Sequence, residues 1–373
     1  MPIRGSIKLP GDKSISHRAL LISSLIPGEN SINNLSTAKD VSNTLKCLNN
    51  IGIKSMEEGN SLLVHGRTFK DPNEILFCGN SGTTIRLLSG LLSGLNINAK
   101  LMGDESLIKR PMDRIINPLL DMSANISRDN KSGLITIRQT NGLSNLEYHM
   151  DVASAQVKTA LLLAGVSGNK KIIIHEKYQT RNHTEIMLNN IGYSIVCEND
   201  TITFNPTSKD IQNININIPG DISSASFFIG AACMIPNSDL RINNVLVNHT
   251  RMGFINVLKK MGAGIIIHNP RNINGEEIAD IQVYYKPLYG INIGSADIPS
   301  IIDELPILSI VATQAEGMTI VSGAEELRHK ESNRILSIVS NLHKMGVKII
   351  EKKDGFIIEG PSILNNALID SYD

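Results

Sequence analysis

Two stretches of the chain, PGDKSISHRALLIS at residues 10–23 and PGDISSASFFIGAAC at residues 219–233, align over most of their length. Each begins with a Pro-Gly-Asp turn and continues into an apolar run, which is the pattern of a helix that starts on a turn. Such self-similarity between distant parts of a sequence indicates a duplicated architecture. We therefore predict that the chain consists of two similar halves.

Three further helix openings, GNSGTT, DVASAQ and ADIPSI, have the same character. The five openings begin about 70 residues apart, at Pro10, Gly79, Asp151, Pro219 and Ala296, which is long enough for a module with two helices. Between them lie apolar runs that end in a small residue and continue into a β-rich stretch, as in LLDMSANIS and VLKKMGAGIII. These features predict a repeated βαβ-type module.

The fold class predicted from these modules is α/β, with two similar domains of sheet and helix modules and a cleft between them. We expect residues 13–220 to form the first domain, with three modules, and residues 1–12 plus 221–373 to form the second. A sixth opening would fall near residue 370, where the sequence reads IDSYD. We therefore expect the second domain to lack its last module. Parallel layers would place the helix N-termini at one edge, where ligands usually bind.

The composition excludes several classes of function. Among the 373 residues, 36 Lys and Arg balance 36 Asp and Glu, so no chain-wide basic field is available for nucleic acid or membrane surfaces. The four cysteines lie far apart without metal-binding spacing, which predicts buried thiols rather than a metal site. The N-terminus reads as neither a secretion signal nor a transit peptide. We expect a cytoplasmic protein.

Polar and charged side chains recur at the helix openings, at the position that faces the predicted cleft. A single lysine, arginine or serine at a helix start is usually a solvated or capping residue. Recurrence in several modules instead favours a site for a multiply anionic substrate that carries phosphate and carboxylate groups. The residues are Lys13, Ser14, Arg18, Asn80, Ser81, Gly82, Thr83, Arg86, Arg110, Ser154, Gln156, Lys158, Arg181, Asp303, Glu304, Lys330, Glu331 and Arg334.

The ordered motifs PGDKSISHR, GNSGTTIR, GDESLIKRPM, SAQVKTALLLAG, TRNHTE, IDELP and RHKESNR resemble the 5-enolpyruvylshikimate-3-phosphate synthase family over nearly the whole chain. The resemblance implies two domains of βαβαββ modules. It also implies transfer of the enolpyruvyl group of phosphoenolpyruvate to the 5-hydroxyl of shikimate 3-phosphate, with release of phosphate, in the shikimate pathway to chorismate and aromatic amino acids. It further implies a monomer without metal or organic cofactor.

The resemblance also assigns roles to individual residues. Asp303 would accept the proton of the 5-hydroxyl, and Lys330 and Glu331 are candidates for protonating the methylene carbon, with Lys13 also at the reacting centre. The residues implied for shikimate 3-phosphate are Lys13, Ser14, Arg18, Ser154, Ala155, Gln156, Arg181, Asp303 and Lys330. Those implied for phosphoenolpyruvate are Lys13, Asn80, Gly82, Arg110, Gln156 and Arg334.

Two alternatives to this enzymatic function stay open. The family normally continues with an Asp-His-Arg stretch and a further lysine beyond a segment like DSYD, so the chain resembles a C-terminally truncated member. A truncated protein that binds shikimate 3-phosphate without turnover is the first alternative. The second is the sister enzyme that transfers enolpyruvyl to UDP-N-acetylglucosamine.

Overall fold

A computed structural model of the chain describes residues 1–206, 211–330 and 332–371. The chain divides into two compact units. The central unit contains Pro10–Ile218 and Ile273–Gly275, and the terminal unit contains Met1–Leu9, Pro219–Asn272 and Glu276–Asp373. That each unit folds as a domain of its own stays a prediction.

Helices and strands alternate along both units. The helices are α1 Lys13–Leu25, α2 Lys39–Asn50, α3 Gly82–Leu95, α4 Glu105–Ile108, α5 Asp113–Asp121, α6 Ala155–Gly168, α7 His183–Asn190, α8 Ile222–Met234, α9 Gly253–Lys260, α10 Ile298–Ile301, α11 Leu305–Ala312 and α12 Arg334–Lys344. The strands are β1 Arg4–Lys8, β2 Gly28–Asn33, β3 Lys54–Glu58, β4 Ser61–Gly66, β5 Leu76–Phe77, β6 Ala99–Met102, β7 Asn125–Arg128, β8 Ile135–Arg138, β9 Leu146–Met150, β10 Ile172–Glu176, β11 Ser194–Glu198, β12 Thr201–Asn205, β13 Asn215–Asn217, β14 Asp239–Leu246, β15 Gly264–Ile273, β16 Glu276–Tyr284, β17 Asn292–Ile293, β18 Gly317–Val321, β19 Lys348–Lys352 and β20 Gly355–Gly360. The described part of the chain also contains 3-10 helices at His249–Arg251 and Glu325–His329.

The strands of the described residues form five four-stranded sheets with one common topology. Their orders are β13-β2-β4-β3, β5-β6-β8-β7, β9-β10-β12-β11, β1-β14-β16-β15 and β17-β18-β20-β19. In each sheet the first pair of strands is parallel and the second pair is antiparallel. The predicted α/β class with repeated βαβαββ modules is confirmed.

The expectation of parallel layers is wrong in one respect, because each sheet is mixed. A parallel pair needs a crossover connection, and within a module a helix supplies it. The last two strands of a module are joined by a short turn instead, such as Gly59–Asn60 between β3 and β4, and this connection makes them antiparallel.

Strand exchange occurs at both Pro-Gly-Asp turns. Strand β1, which precedes α1, pairs with β14 of the terminal unit, whereas β13, which precedes α8, pairs with β2 of the central unit. The chain therefore starts in one unit, builds the other and returns.

The helices that open the modules of the central unit are buried on nearly all sides. In α3 the side chains of Leu87, Leu88, Leu91 and Leu92 are each 0% exposed. A helix that is apolar all round belongs in a core. Each such helix begins at an N-cap side chain that accepts a backbone N–H bond, and the three caps are Asp12, Ser81 and Ser154.

The terminal unit repeats this design at α8. Asp221 caps the helix by accepting hydrogen bonds from the backbone N–H groups of Ser223 and Ser224. The buried face of α8 packs with α11 and α12 in an apolar core, whereas Phe227 and Phe228 are 60% and 44% exposed. The apolar sequence of α8 is therefore only partly covered by the described residues.

Two further features of the structure concern membrane spans and the four cysteines. No helix among the described residues has the length and apolarity that a bilayer span requires. Cys47, Cys78 and Cys233 are buried, but Cys197 is exposed, so the prediction of buried thiols is wrong at Cys197. Cys197 lies on the edge strand β11, where only one side chain is buried.

Candidate active site

The start of α1 carries the first group of predicted site residues. Lys13 is the first residue of the helix, and its ammonium Nζ lies 3.2 Å from Asp40 Oδ2 with 49% of the side chain exposed. Ser14 Oγ accepts a hydrogen bond from Arg181 Nη1 at 3.2 Å. Two cationic side chains thus lie at a helix N-terminus, which itself favours an anion.

Arg18 occupies a different environment from the one predicted for a substrate ligand. The residue is 2% exposed. Its Nε donates to Thr184 Oγ1 at 2.8 Å, Nη2 donates to Thr159 Oγ1 at 2.8 Å, and Nη1 donates to the Ser14 carbonyl oxygen at 2.9 Å. Arg18 therefore joins α1 to α6 and α7 and fixes the backbone of Ser14, while direct contact with substrate stays a prediction.

Two guanidinium groups, those of Arg86 on α3 and Arg110 after α4, lie beside the glycine that begins α3. Arg110 Nη2 donates a hydrogen bond to Asn80 Oδ1. A Cβ atom at Gly82 would lie 2.9 Å from Arg86 Nη1 and 3.3 Å from Arg110 Nη1. Glycine at the first position of α3 thus lets both cations approach the helix start, which is suited to a small anion.

Gln156 connects the starts of α3 and α6. Its Oε1 accepts from Arg86 Nη1 at 2.6 Å, and its Nε2 donates to Thr83 Oγ1 at 2.9 Å. Ser154 caps α6 by accepting from the backbone N–H of Val157 at 3.4 Å, and Ala155 is the first helical residue. These bonds and those of Arg18 link the N-terminal turns of the three buried helices of the central unit.

The terminal unit carries the remaining predicted residues. Asp303 Oδ1 lies 3.7 Å from Arg334 Nη1, with the two side chains 35% and 23% exposed. Lys330 follows the 3-10 helix Glu325–His329 in extended backbone conformation. Glu331 lies outside the described residues. The terminal unit thus pairs a carboxylate with a guanidinium close to a lysine in sequence.

Several residues of these networks were missed by the sequence reasoning or not assigned a role. Arg86 is among the predicted site residues but has no role implied by the resemblance, and no sequence pattern singles out Thr159 or Thr184. In the terminal unit, Arg251 is 5% exposed, and its Nη2 donates to Ser223 Oγ at 2.9 Å. Ser223 Oγ in turn donates to Glu304 Oε1. The position of Ser223 in the second Pro-Gly-Asp helix was the available signal for this cluster.

His17 lies beneath the site on the buried side of α1. Burial, with smaller contributions from the charges of Lys13 and Arg18, lowers its pKa to about 3. Its Nδ1 lies 2.8 Å from Thr44 Oγ1, and Thr44 Oγ1 lies 2.7 Å from Thr84 Oγ1. A neutral histidine and two hydroxyl groups therefore join α1, α2 and α3.

Among the described residues, one cluster of potential metal ligands lies on strands β9 and β10. Ligand atoms of Glu147, His149 and His175 all lie within 4.8 Å of one another. The two imidazole rings are stacked at 4.3 Å with an interplanar angle of 13°. His175 is bonded through Nε2 to Glu147 and through Nδ1 to Thr201. Nearly parallel rings cannot both direct an in-plane lone pair at one ion, so the arrangement is that of a stacked and hydrogen-bonded pair.

Comparison with known proteins gives consistent results. The family described as EPSP synthase (3-phosphoshikimate 1-carboxyvinyltransferase) matches residues 1–373. A curated protein of Thermoanaerobacter sp. (strain X514), named 3-phosphoshikimate 1-carboxyvinyltransferase, is 44% identical over 374 residues, which are 100% of this chain and 88% of that protein. A protein of the same name from Oceanobacillus iheyensis is 41% identical over 375 residues, which are 100% of this chain and 87% of that protein.

Solved structures show the same similarity. The EPSP synthase from Acinetobacter baumannii matches with a TM-score of 0.85 and 37% identity, over 98% of this chain and 83% of that chain. The enolpyruvyl transferase NikO from Streptomyces tendae matches with a TM-score of 0.76 over 96% of this chain and 83% of that chain. At 14% identity, the second match shows the fold alone.

Proposed function

The chain belongs to the EPSP synthase family, and on that premise we propose that the residues described above carry out the family's reaction. The chain is an enolpyruvyl transferase of the shikimate pathway, which leads to chorismate and the aromatic amino acids. The enolpyruvyl group of phosphoenolpyruvate is transferred to the 5-hydroxyl of shikimate 3-phosphate, and phosphate is released.

Shikimate 3-phosphate is assigned to the starts of α1 and α6. The single observation that carries this assignment is the bond from Arg181 Nη1 to Ser14 Oγ, since it holds a second cation next to Lys13 at the N-terminus of α1. The assigned residues are Lys13, Ser14, Arg18, Ser154, Ala155, Gln156, Arg181, Asp303 and Lys330.

Phosphoenolpyruvate is assigned to the start of α3 and to the arginine beside Asp303. Gly82 supports this assignment, because the two guanidinium groups next to it provide charge and space for a compact anion. The assigned residues are Lys13, Asn80, Gly82, Arg110, Gln156 and Arg334.

The transfer needs a base at the attacking hydroxyl and an acid at the methylene carbon, and it passes through a tetrahedral intermediate from which phosphate leaves. Asp303 takes the proton of the 5-hydroxyl, and Lys330 or Glu331 delivers a proton to the methylene carbon. The distance of 3.7 Å between Asp303 Oδ1 and Arg334 Nη1 supports these roles, because the proposed base then neighbours a residue proposed to bind phosphoenolpyruvate. Side chains alone supply these proton transfers.

The partners follow from the substrates. We infer that the enzyme acts in the cytoplasm as a monomer on two small anions, without nucleic acid or membrane partners. The equal numbers of acidic and basic residues support the part of this inference that concerns nucleic acid and membranes, since a chain without net charge lacks the field that attracts a polyanion.

A phosphate-release assay with both substrates tests the proposal, with Asp303→Asn as the diagnostic variant. We expect turnover in the unaltered chain and a fall in kcat of about 10²-fold or more in Asp303→Asn, because a general base is lost. KM for phosphoenolpyruvate should change little, whereas KM for shikimate 3-phosphate should also rise, because Asp303 is assigned to that substrate as well. Asp121→Asn, at an exposed position in the central unit, is the matched control and should retain full activity.

Two outcomes would instead favour the alternatives. Binding of shikimate 3-phosphate in calorimetry without phosphate release would favour a non-catalytic binding protein. Phosphate release with UDP-N-acetylglucosamine but not with shikimate 3-phosphate would favour the sister enzyme.

A further inference from the structure

Lys158, on α6, is 0% exposed, although its side chain is charged. Its Nζ lies 2.7 Å from Glu185 Oε1, 3.1 Å from Glu176 Oε1 and 3.4 Å from the carbonyl oxygen of Thr180. An ammonium group has three N–H donors, and a buried charge is tolerated only when it is paired and hydrogen-bonded. All three donors of Lys158 therefore have acceptors inside the protein.

Glu176 is also hydrogen-bonded to Thr180. Its Oε2 accepts from the backbone N–H of Thr180 at 3.3 Å and from Thr180 Oγ1 at 2.9 Å. Lys158 and Glu176 together therefore bond the N–H, the carbonyl oxygen and the hydroxyl of Thr180. The loop between β10, which ends at Glu176, and α7, which begins at His183, is thus fixed at Thr180.

Thr180 directly precedes Arg181 in the chain, and the Arg181 guanidinium donates to Ser14 Oγ. The bonds from Lys158 and Glu176 to Thr180 therefore fix the backbone position from which the Arg181 side chain extends. An arginine has many rotamers, so a fixed backbone reduces the ordering cost of binding an anion through its guanidinium group.

We propose that Lys158 is a positioning residue for the transfer reaction, which acts through Glu176 and Thr180 to hold Arg181 at the shikimate 3-phosphate site. The effect on substrate rests on the proposed function, whereas the effect on the loop does not. Because Lys158 is fully buried, it acts without touching substrate itself.

Steady-state kinetics test the proposal in Lys158→Met and Thr180→Val, with Lys171→Met, at an exposed position directly before β10, as the control. We expect KM for shikimate 3-phosphate to rise about 10-fold in Lys158→Met and by a smaller factor in Thr180→Val, since the latter loses only one bond. KM for phosphoenolpyruvate and kcat should stay within about 2-fold of the unaltered values, a split that general loss of structure would not produce.

A double-mutant cycle separates action through Arg181 from an independent effect. In an Arg181→Ala background, Lys158→Met should raise KM for shikimate 3-phosphate by less than about 2-fold, because the residue that it positions is already absent. A full 10-fold rise in that background would overturn the proposal.

Hydrogen exchange tests the positioning without reference to substrate. Backbone amides of residues 177–182 should exchange faster in Lys158→Met than in Lys171→Met. If Lys158→Met does not fold, Glu176→Gln, which keeps the shape and one acceptor oxygen, serves in its place and should show the same increase. Unchanged exchange in the folded variants would refute the positioning role. An Arg181→Ala variant with unchanged KM for shikimate 3-phosphate would instead refute the substrate assignment.

Discussion

Gly82 has no side chain, and this leaves room for the guanidinium groups of Arg86 and Arg110 near the start of α3. In Gly82→Ala the new Cβ would lie 2.9 Å from Arg86 Nη1 and 3.3 Å from Arg110 Nη1. Both contacts involve the far ends of flexible side chains, so the guanidinium groups should move while the fold persists. We expect KM for phosphoenolpyruvate to rise about 10-fold, with stability changed by less than about 1 kcal/mol.

The measurement for Gly82→Ala is phosphate release at varied phosphoenolpyruvate, together with urea unfolding. Gly294→Ala is the matched control, because an added Cβ there meets no atom within 4 Å. An unchanged KM for phosphoenolpyruvate in Gly82→Ala would show that the two guanidinium groups do not bind that substrate.

His17 makes stability depend on pH. In the unfolded chain a histidine binds a proton near pH 6.5, whereas burial lowers the pKa of His17 to about 3 in the fold. Acidification from pH 6.5 towards pH 3 therefore favours the unfolded state. Near pH 3, the titration of His17 lowers the free energy of unfolding by about 4 to 5 kcal/mol.

His17→Asn tests this pH dependence. The asparagine amide can bond Thr44 from the same side of α1 but does not titrate, so the variant should lose less stability between pH 6.5 and pH 4 than the unaltered chain. Urea unfolding at several pH values measures the difference. Identical slopes in the two proteins would mean that His17 is not held neutral by the fold.

At the scale of elements, α3 and α6 pack so closely that Gly90 has no room for a methyl group. A Cβ there would lie 2.0 Å from the carbonyl oxygen of Ala160, which belongs to the backbone of α6 and cannot rotate away. Alanine is ordinarily favoured over glycine within a helix by about 1 kcal/mol. Here we expect Gly90→Ala to reduce the free energy of unfolding by more than about 3 kcal/mol.

Urea unfolding measures the effect of Gly90→Ala, and Gly230→Ala in α8 is its control. At Gly230 the nearest atom to an added Cβ is Ile307 Cγ1 at 3.0 Å, and this side chain can adjust. The control should change stability by less than about 1 kcal/mol. Equal effects of the two substitutions would contradict the close approach of α3 and α6.

Because Gln156 bridges the starts of these helices, a weakly folded Gly90→Ala should also lose activity.

The starts of the elements could be predicted from the sequence, since local chemistry determines them. Asp12, Ser81 and Asp221 each precede an apolar run, and each caps the helix that follows. Strand partners could not be predicted in the same way. The pairing of β1 with β14 joins residues more than 230 positions apart, as in Arg4 with Asp239, and no local pattern encodes such a choice.

The candidate site shows the same division. The glycine-rich loop at Gly82 could be predicted because few residue types allow the backbone to approach a ligand. The orientations of Arg18 and Lys158 could not, because a cation one turn into a helix has the same spacing whether it faces substrate or core. Only the packed structure shows both side chains bonded inside the protein.

At the scale of the whole molecule, the chain crosses between the units at Leu9–Pro10 and at Ile218–Pro219. The three sheets of the central unit are formed by strands from β2 to β13. The sheet pairing that the described residues of this unit show therefore lies within residues 10–218. Residues Ile273–Gly275, where β15 meets β16, also belong to the central unit, and there Asn274 Nδ2 donates a hydrogen bond to the carbonyl oxygen of Asn215.

A fragment of residues 10–218 should therefore fold by itself and show a cooperative urea transition, because a domain with its own core can fold independently. It contains all the residues proposed for shikimate 3-phosphate except Asp303 and Lys330, so it should bind this ligand in calorimetry but release no phosphate. Arg181→Ala in the same fragment should weaken that binding about 10-fold or more, since a charged hydrogen bond to an anion is lost. A fragment without a cooperative transition would contradict the independent central unit. A folded fragment whose affinity for shikimate 3-phosphate is unaffected by Arg181→Ala would place the ligand elsewhere.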